Sequence, residues 1–299
     1  MYTPGALRSP DPAGPRNLPW PPAARGLESA VVLSRLAGGQ LGRGGAEGSA
    51  MSLYLPILMY HQVGRPGPGD KSSHFVSPER FREHLAFLAE GGYRPVTPDA
   101  LFAALVGGGP RLPERPVLLT FDDANAPRLR PTAELLAGRG FPAVFYFNAA
   151  SRPVLPAAAD LDLYRRAGLT VGSHCVGHPW MPQLTDEQLR FETEESRRRL
   201  EELAGGPVVH FAYPFGAYGR REIAAVRAAG YHTAVSVRKG NRHRRADQFC
   251  LRRIPVRSNS GAKFLARVFT RSWHLEYVLK DKLGLLPRRA PPPRAETGP

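Results

Sequence analysis

Adjacent carboxylates at Asp122 and Asp123 end the apolar run Val117-Leu118-Leu119-Thr120-Phe121, and two histidines four residues apart, His174 and His178, follow a later run. One carboxylate and two imidazoles make a facial set of oxygen and nitrogen donors suited to a borderline divalent cation such as zinc or another first-row metal. Three protein ligands leave a position open for water, which the metal acidifies toward neutral pH. That is hydrolytic chemistry. The doubled aspartate supplies a second function, because neighbouring residues at a strand end point in different directions: one can bind metal while the other takes a proton. Each piece alone has a plainer explanation. Asp-Asp after a strand also caps helices, and Tyr213-Pro214-Phe215-Gly216 also reads as a proline-bearing turn. On successive strand ends of one array the pieces reinforce one another. Cys175, between the two histidines, reads as a small packed side chain.

The elements that must position these residues alternate strand with helix. An apolar run over 53–60 is strand-like, and Ser77 opens a helix with Pro78 in its first turn and Phe81, Leu85 and Leu88 on one face. A short helix opens at Thr97-Pro98. There follow a strand at 117–121, a helix at 131–139, a strand at 143–147, a helix at 157–167 and a strand at 169–172. Thr185 caps a long helix, Gln188 closes its capping box, and Gly205-Gly206 ends it. A strand at 208–213, a helix at 220–229 and strands at 233–237 and 250–256 complete the array. Repeated β-α units imply parallel strands with helices outside, and a count of about seven strands favours a barrel over a doubly wound sheet. In such a barrel the loops at the carboxyl ends of the strands build the site.

A hydrophobic content of 42% and a charged content of 22% in 299 residues are ordinary for a globular protein with a substantial core. Residues 1–50 are different: they show no sustained period, and Pro10, Pro12, Pro15, Pro19, Pro21 and Pro22 interrupt any apolar stretch. They read as a disordered extension or a mis-assigned start, with no signal peptide. No run approaches the roughly 18 apolar residues of a membrane span, so the chain reads as cytoplasmic. Two cysteines suit a reducing compartment. The net charge of +15 is a C-terminal property: residues 238–299 carry 16 basic and 4 acidic side chains, against 20 and 19 in residues 51–237. Phe264, Leu265, Val268, Phe269, Trp273 and Leu275 alternate there with basic residues, a pattern suited to docking on the barrel or on an anionic membrane surface. The division is therefore an extension at 1–50, a catalytic domain at 51–258, and a basic helix and tail at 259–299.

The motifs Thr-Phe-Asp122-Asp123, His174-x-x-x-His178 and Tyr213-Pro214-Phe215-Gly216, in that order, resemble the polysaccharide deacetylase family, also called the NodB homology or carbohydrate esterase 4 family, over residues 53–256. The resemblance implies a distorted (β/α)₇ barrel in which Asp122 is the general base. It makes Asp123, His174 and His178 the ligands of one divalent ion, and has Tyr213, Pro214 and Phe215 line the substrate groove. There are departures. Ala124 stands where the family has glycine, and Phe211 stands where an arginine is common. Leu251-Arg252-Arg253-Ile254-Pro255-Val256 occupies the place of a late histidine motif. Met59-Tyr60-His61-Gln62-Val63 resembles an element of the subgroup that deacetylates exported poly-N-acetylglucosamine, which implies His61 as the proton donor. His210 and His232 read as structural histidines inside strands.

The expected activity is metal-dependent removal of N-acetyl groups from amino sugars of an acetylated glycan. An O-acetyl esterase is the nearest rival. A catalytically degenerate glycan-binding protein is another, favoured by the missing arginine and histidine and opposed by the intact Asp-His-His set. Nucleic-acid binding rests on the basic tail alone and lacks a recognised module. A chain beginning at Met51 is expected to keep the melting temperature, metal content and deacetylase activity of the full chain. Insolubility or inactivity of that chain would give the first fifty residues a role.

Overall fold

Apolar runs too short for helices form the staves of a closed parallel barrel in the computed structural model, which describes residues 52–124, 126–150 and 158–283. The seven staves are β1 (Ile57–Tyr60), β2 (Pro116–Phe121), β3 (Ala143–Phe147), β4 (Leu169–Ser173), β5 (His210–Ala212), β6 (Thr233–Lys239) and β7 (Leu251–Pro255). Neighbours follow chain order. The ring closes because β1 lies between the last strand and the second, with Leu58 opposite both Ile254 and Leu119. Every residue of β1, β2 and β3 is buried, as parallel strands covered on both faces require.

Alternation along the strands divides the core. Ile57, Leu118, Val144, Tyr146, Ala212, Val235 and Leu251 pack together inside the barrel, whereas Leu58, Leu119, Phe145, Phe211 and Ala234 join the larger cluster beneath the helices. The outer helices are α1 (Pro78–Glu90), α2 (Pro98–Val106), α3 (Ala126–Ala137), α4 (Ala158–Arg166), α5 (Asp186–Ala204) and α6 (Arg220–Ala228). Ser77 and Thr97 cap α1 and α2 with proline in the first turn. Thr185 and Gln188 exchange both bonds of the capping box on α5, at 3.2 and 2.9 Å.

Two boundaries differ most from expectation. The run over 53–60 is two elements: Leu53–Tyr54 pairs antiparallel with Arg242–His243, and β1 begins after Pro56, which has no N–H to give a ladder. Helix α3 starts at Ala126, so Pro131 stands inside it and forfeits a single helical bond. The C-terminal helices α7 (Ala262–Val268) and α8 (Arg271–Lys282) lie against the barrel's own cluster through Leu265, Val268, Phe269 and Trp273, while Leu275 is exposed. No helix of the described residues is long and apolar enough to cross a membrane. The extension at 1–50 and the tail after 283 lie outside the described residues.

Gly172, on the inner face of β4, sits opposite Tyr146, whose ring is fully buried. A Cβ at this position would stand 2.5 Å from that ring and 3.1 Å from Val144. Gly172→Ala is therefore expected to destabilise by about 1–3 kcal/mol, the cost of overpacking a closed interior. The midpoint of urea unfolding reads it, and an unchanged midpoint would mean the barrel interior yields.

Candidate active site

The inward file of β2 runs through Leu118 and Thr120 and continues to Asp122, where it meets Arg253 from the inward file of β7. The two side chains pair fork to fork: Arg253 Nη1 and Nη2 donate to the two carboxylate oxygens of Asp122, each at 2.6 Å. Arg253 also donates from Nε to the Ser236 carbonyl at 2.8 Å and from Nη1 to Thr120 Oγ1 at 3.1 Å. Neither partner has more than a trace of surface in water. Burial by itself would raise the Asp122 pKa, but the Arg253 charge and its hydrogen bonds, helped by His174 and His61, hold the carboxyl well below the usual range. Asp122 is ionised at any working pH.

Asp123 has a different environment one residue on. Its backbone turns left-handed, at φ 50°, and Gln62 Nε2 donates to its carbonyl at 2.7 Å. The carboxylate Oδ1 then lies 3.4 Å from His178 Nε2 and 3.8 Å from His174 Nε2. A carbonyl only accepts, so the 2.7 Å contact between His174 Nδ1 and the Ala212 carbonyl places a proton on Nδ1. In the neutral ring Nε2 then turns a lone pair toward a carboxylate oxygen. Burial and the neighbouring His174 lower His178 to about 4, so the His178 ring is neutral at physiological pH. Acceptors facing one another without a proton between them repel, and a cation among them converts that repulsion into coordination. The donor set thus fits a divalent metal of the zinc type.

The local backbone is strained to make this set. Asp123, Cys175, His178 and Phe215 have φ of 50°, 68°, 56° and 58°, and they are the only non-glycine residues of positive φ among the described residues. Such conformations cost about 1–3 kcal/mol each and persist only where the surroundings enforce them. Burial pushes the Cys175 thiol pKa well up, which leaves it an inert packed side chain.

His61, at the end of β1, faces the same cavity of about 400 Å³, with Asp122, Asp123, His174, His178 and Phe215. Its ring stacks on that of His74 at 4.0 Å between centroids. Burial lowers His61 to about 4; His74 adds to the fall, and Asp122 and Asp123 partly oppose it.

Tyr213 borders the cavity, but its ring turns away from it. Its ring is fully buried, its hydroxyl donates to the Phe249 carbonyl at 3.0 Å, and it stacks on Tyr218. Alternation from Phe211 sends it toward the helices. Pro214 is buried in the turn Pro214–Gly216 and is not part of the cavity wall. Phe215 does reach the wall, where its ring meets His178 at 4.4 Å and Trp180 at 5.6 Å. Trp180, His74 and Arg253 were not picked out by the sequence motifs. His210, as expected of a structural residue, contacts Thr233 Oγ1 and Asp99 Oδ1 at 2.8 and 3.0 Å, and His232 lies just before β6, stacked on Phe102.

A family model described as polysaccharide deacetylase matches residues 109–234. The chain is similar to YxkH of Bacillus subtilis (strain 168), a protein given the same family assignment, at 26% identity over 218 residues that cover 72% of this chain and 76% of that one. Among solved structures it is similar to the deacetylase PplD of Streptococcus pyogenes in complex with acetate, with a TM-score of 0.67, 21% identity, and coverage of 74% of this chain and 100% of that one. It is also similar to a de-N-acetylase from Aggregatibacter actinomycetemcomitans, with a TM-score of 0.62, 17% identity, and coverage of 72% and 99%. At these identities the structural likeness is one of fold.

Removing the guanidinium would leave Asp122 buried beside no countercharge. Arg253→Met is expected to cost about 3–5 kcal/mol, and adding Asp122→Asn should recover part of that loss. Urea unfolding of the single and double variants measures the coupling. Strictly additive losses would mean that the two side chains do not act as a pair.

Proposed function

Because the chain carries a polysaccharide deacetylase domain, we propose that it hydrolyses the N-acetyl groups of amino sugars in a poly- or oligosaccharide, with one divalent cation held by Asp123, His174 and His178. The observation that carries this reading is the division of two adjacent aspartates, one clamped by Arg253 inside the barrel and the other turned out to the two imidazoles. The bound cation would acidify a water and polarise the acetyl carbonyl.

Asp122 accepts the proton of the attacking water. Arg253 occupies one position on each of its oxygens and leaves further lone pairs facing the cavity. The same clamp restores the ionised base after each turnover. His61 stands ready to protonate the leaving amine, and because it rests neutral, the proton it hands on is the one released by the attacking water. Phe215 and Trp180 offer aromatic faces for a sugar ring beside the metal ligands. In this reading the catalytic domain is residues 51–258.

Removal of an O-acetyl group needs the same attack and a better leaving group, so acetate release from N- and O-acetylated glycans compared side by side separates the two. The name de-N-acetylase borne by one similar structure supports the amide. Arg253 weakens the case for a degenerate glycan-binding protein, since the base has its arginine from another strand.

Chelation should abolish acetate release from N-acetylglucosamine oligomers, and zinc should restore it. Asp122→Asn is expected to keep the metal and lose roughly a hundredfold or more in rate, whereas Asp123→Asn should lose metal as well, as elemental analysis reads. Equal metal loss in both would overturn the division of roles. His61→Ala should slow amide cleavage far more than cleavage of an activated aryl acetate, whose leaving group needs little protonation. Equal loss on both substrates would make His61 structural.

A further inference from the structure

Across the cavity from His174 and His178 lies a second group of metal-ligand types. His61, His74 and Asp123 each present one donor atom, all within 4.8 Å of one another. We propose that this group is a second, weaker cation site that shares Asp123 with the first, fills when metal exceeds one ion per chain, and inhibits the enzyme by occupying the His61 imidazole. The inhibitory half rests on the reading of His61 as the proton donor.

Sharing is chemically sound because a carboxylate has two oxygens and can bridge two ions. Asp122 is not among the residues whose donor atoms converge here. The donors again are imidazole nitrogen and carboxylate oxygen, which select zinc or another first-row metal over calcium or magnesium. His61 comes from the end of β1 and His74 from the turn Ser72–His74, and their stacked rings lie side by side, 26° from parallel, at the cavity wall.

The order of filling follows from how each set is built. His174 is aimed by its bond to the Ala212 carbonyl, an orienting contact of a kind that typically contributes ten- to a hundredfold in metal affinity. The second set relies on a surface turn and would take its ion close to another cation, with Lys71 on the same wall. Once coordinated, the His61 nitrogen has no lone pair with which to carry a proton to the leaving amine, and amide hydrolysis stops.

Calorimetric titration of the chelator-stripped full chain with zinc chloride should show two binding events, the second weaker on the order of ten- to a hundredfold. His74→Ala and His74→Gln, checked for an unchanged melting temperature, should show the first event alone. Excess zinc should suppress turnover of N-acetylglucosamine oligomers in the parent chain and spare it in both variants. A single event in the parent, or two events in a folded His74 variant, overturns the site. Two events in the parent and one in the variants, with no suppression by zinc, uphold the site and overturn both its inhibitory effect and the role of His61 as donor.

Discussion

A guanidinium with no surface in water has to be matched, and the match between Arg253 and Asp122 is the constraint around which the rim of this barrel is built. Their strands, β7 and β2, are the two neighbours of β1, so the pair bridges the place where the ring closes. Further bonds from Arg253 to Ser236 and Thr120, and from Thr120 Oγ1 to the Leu58 carbonyl, draw β6 and β1 into the same network. A buried pair of this kind gains little over an apolar core of equal volume, yet is costly to break from one side. Its value here is positional: it holds an ionised Asp122 beside Asp123, His174 and His178.

Most of the strands and the two motifs that end them were legible in the sequence, because parallel staves read as apolar runs and the helix caps at Ser77, Thr97 and Thr185 have local signatures. What the sequence concealed were relations across the barrel. Arg253 stands among Leu251-Arg252-Arg253-Ile254, where a period of two sends it inward, but nothing local says which acid awaits it. A charged residue on the inward file of a barrel strand was the available signal. His74 and Trp180 lie in loops, where position depends on packing and not on period. Tyr213 shows the same limit from the other side: its motif brings it to the cavity, and its place in the alternation sends its ring to the core.

Backbone strain gathers where the chemistry is. Four left-handed non-glycine residues follow the ends of β2, β4 and β5, and each redirects the chain at a point where an ordinary turn would carry the side chain elsewhere. Asp123 shows what is gained, since one such turn puts two adjacent carboxylates in different surroundings, one against Arg253 and one against two imidazoles. Cys175 and Phe215 tolerate the conformation less readily and are held by burial and by ring contacts.

The clamp on Asp122 comes from β7, the last stave of the ring, and this has a consequence for how the protein is made. A chain emerging from the ribosome exposes both aspartates and both ligand histidines long before residue 253 has been translated. Asp123, His174 and His178 therefore lie wholly in the earlier part of the chain, while Asp122 has no guanidinium partner until the final strand inserts beside β1. Completion of the polypeptide thus separates a nascent chain that already holds Asp123, His174 and His178 from one in which Asp122 has its partner, and under the proposed function hydrolysis is reserved for molecules in which the ring has closed.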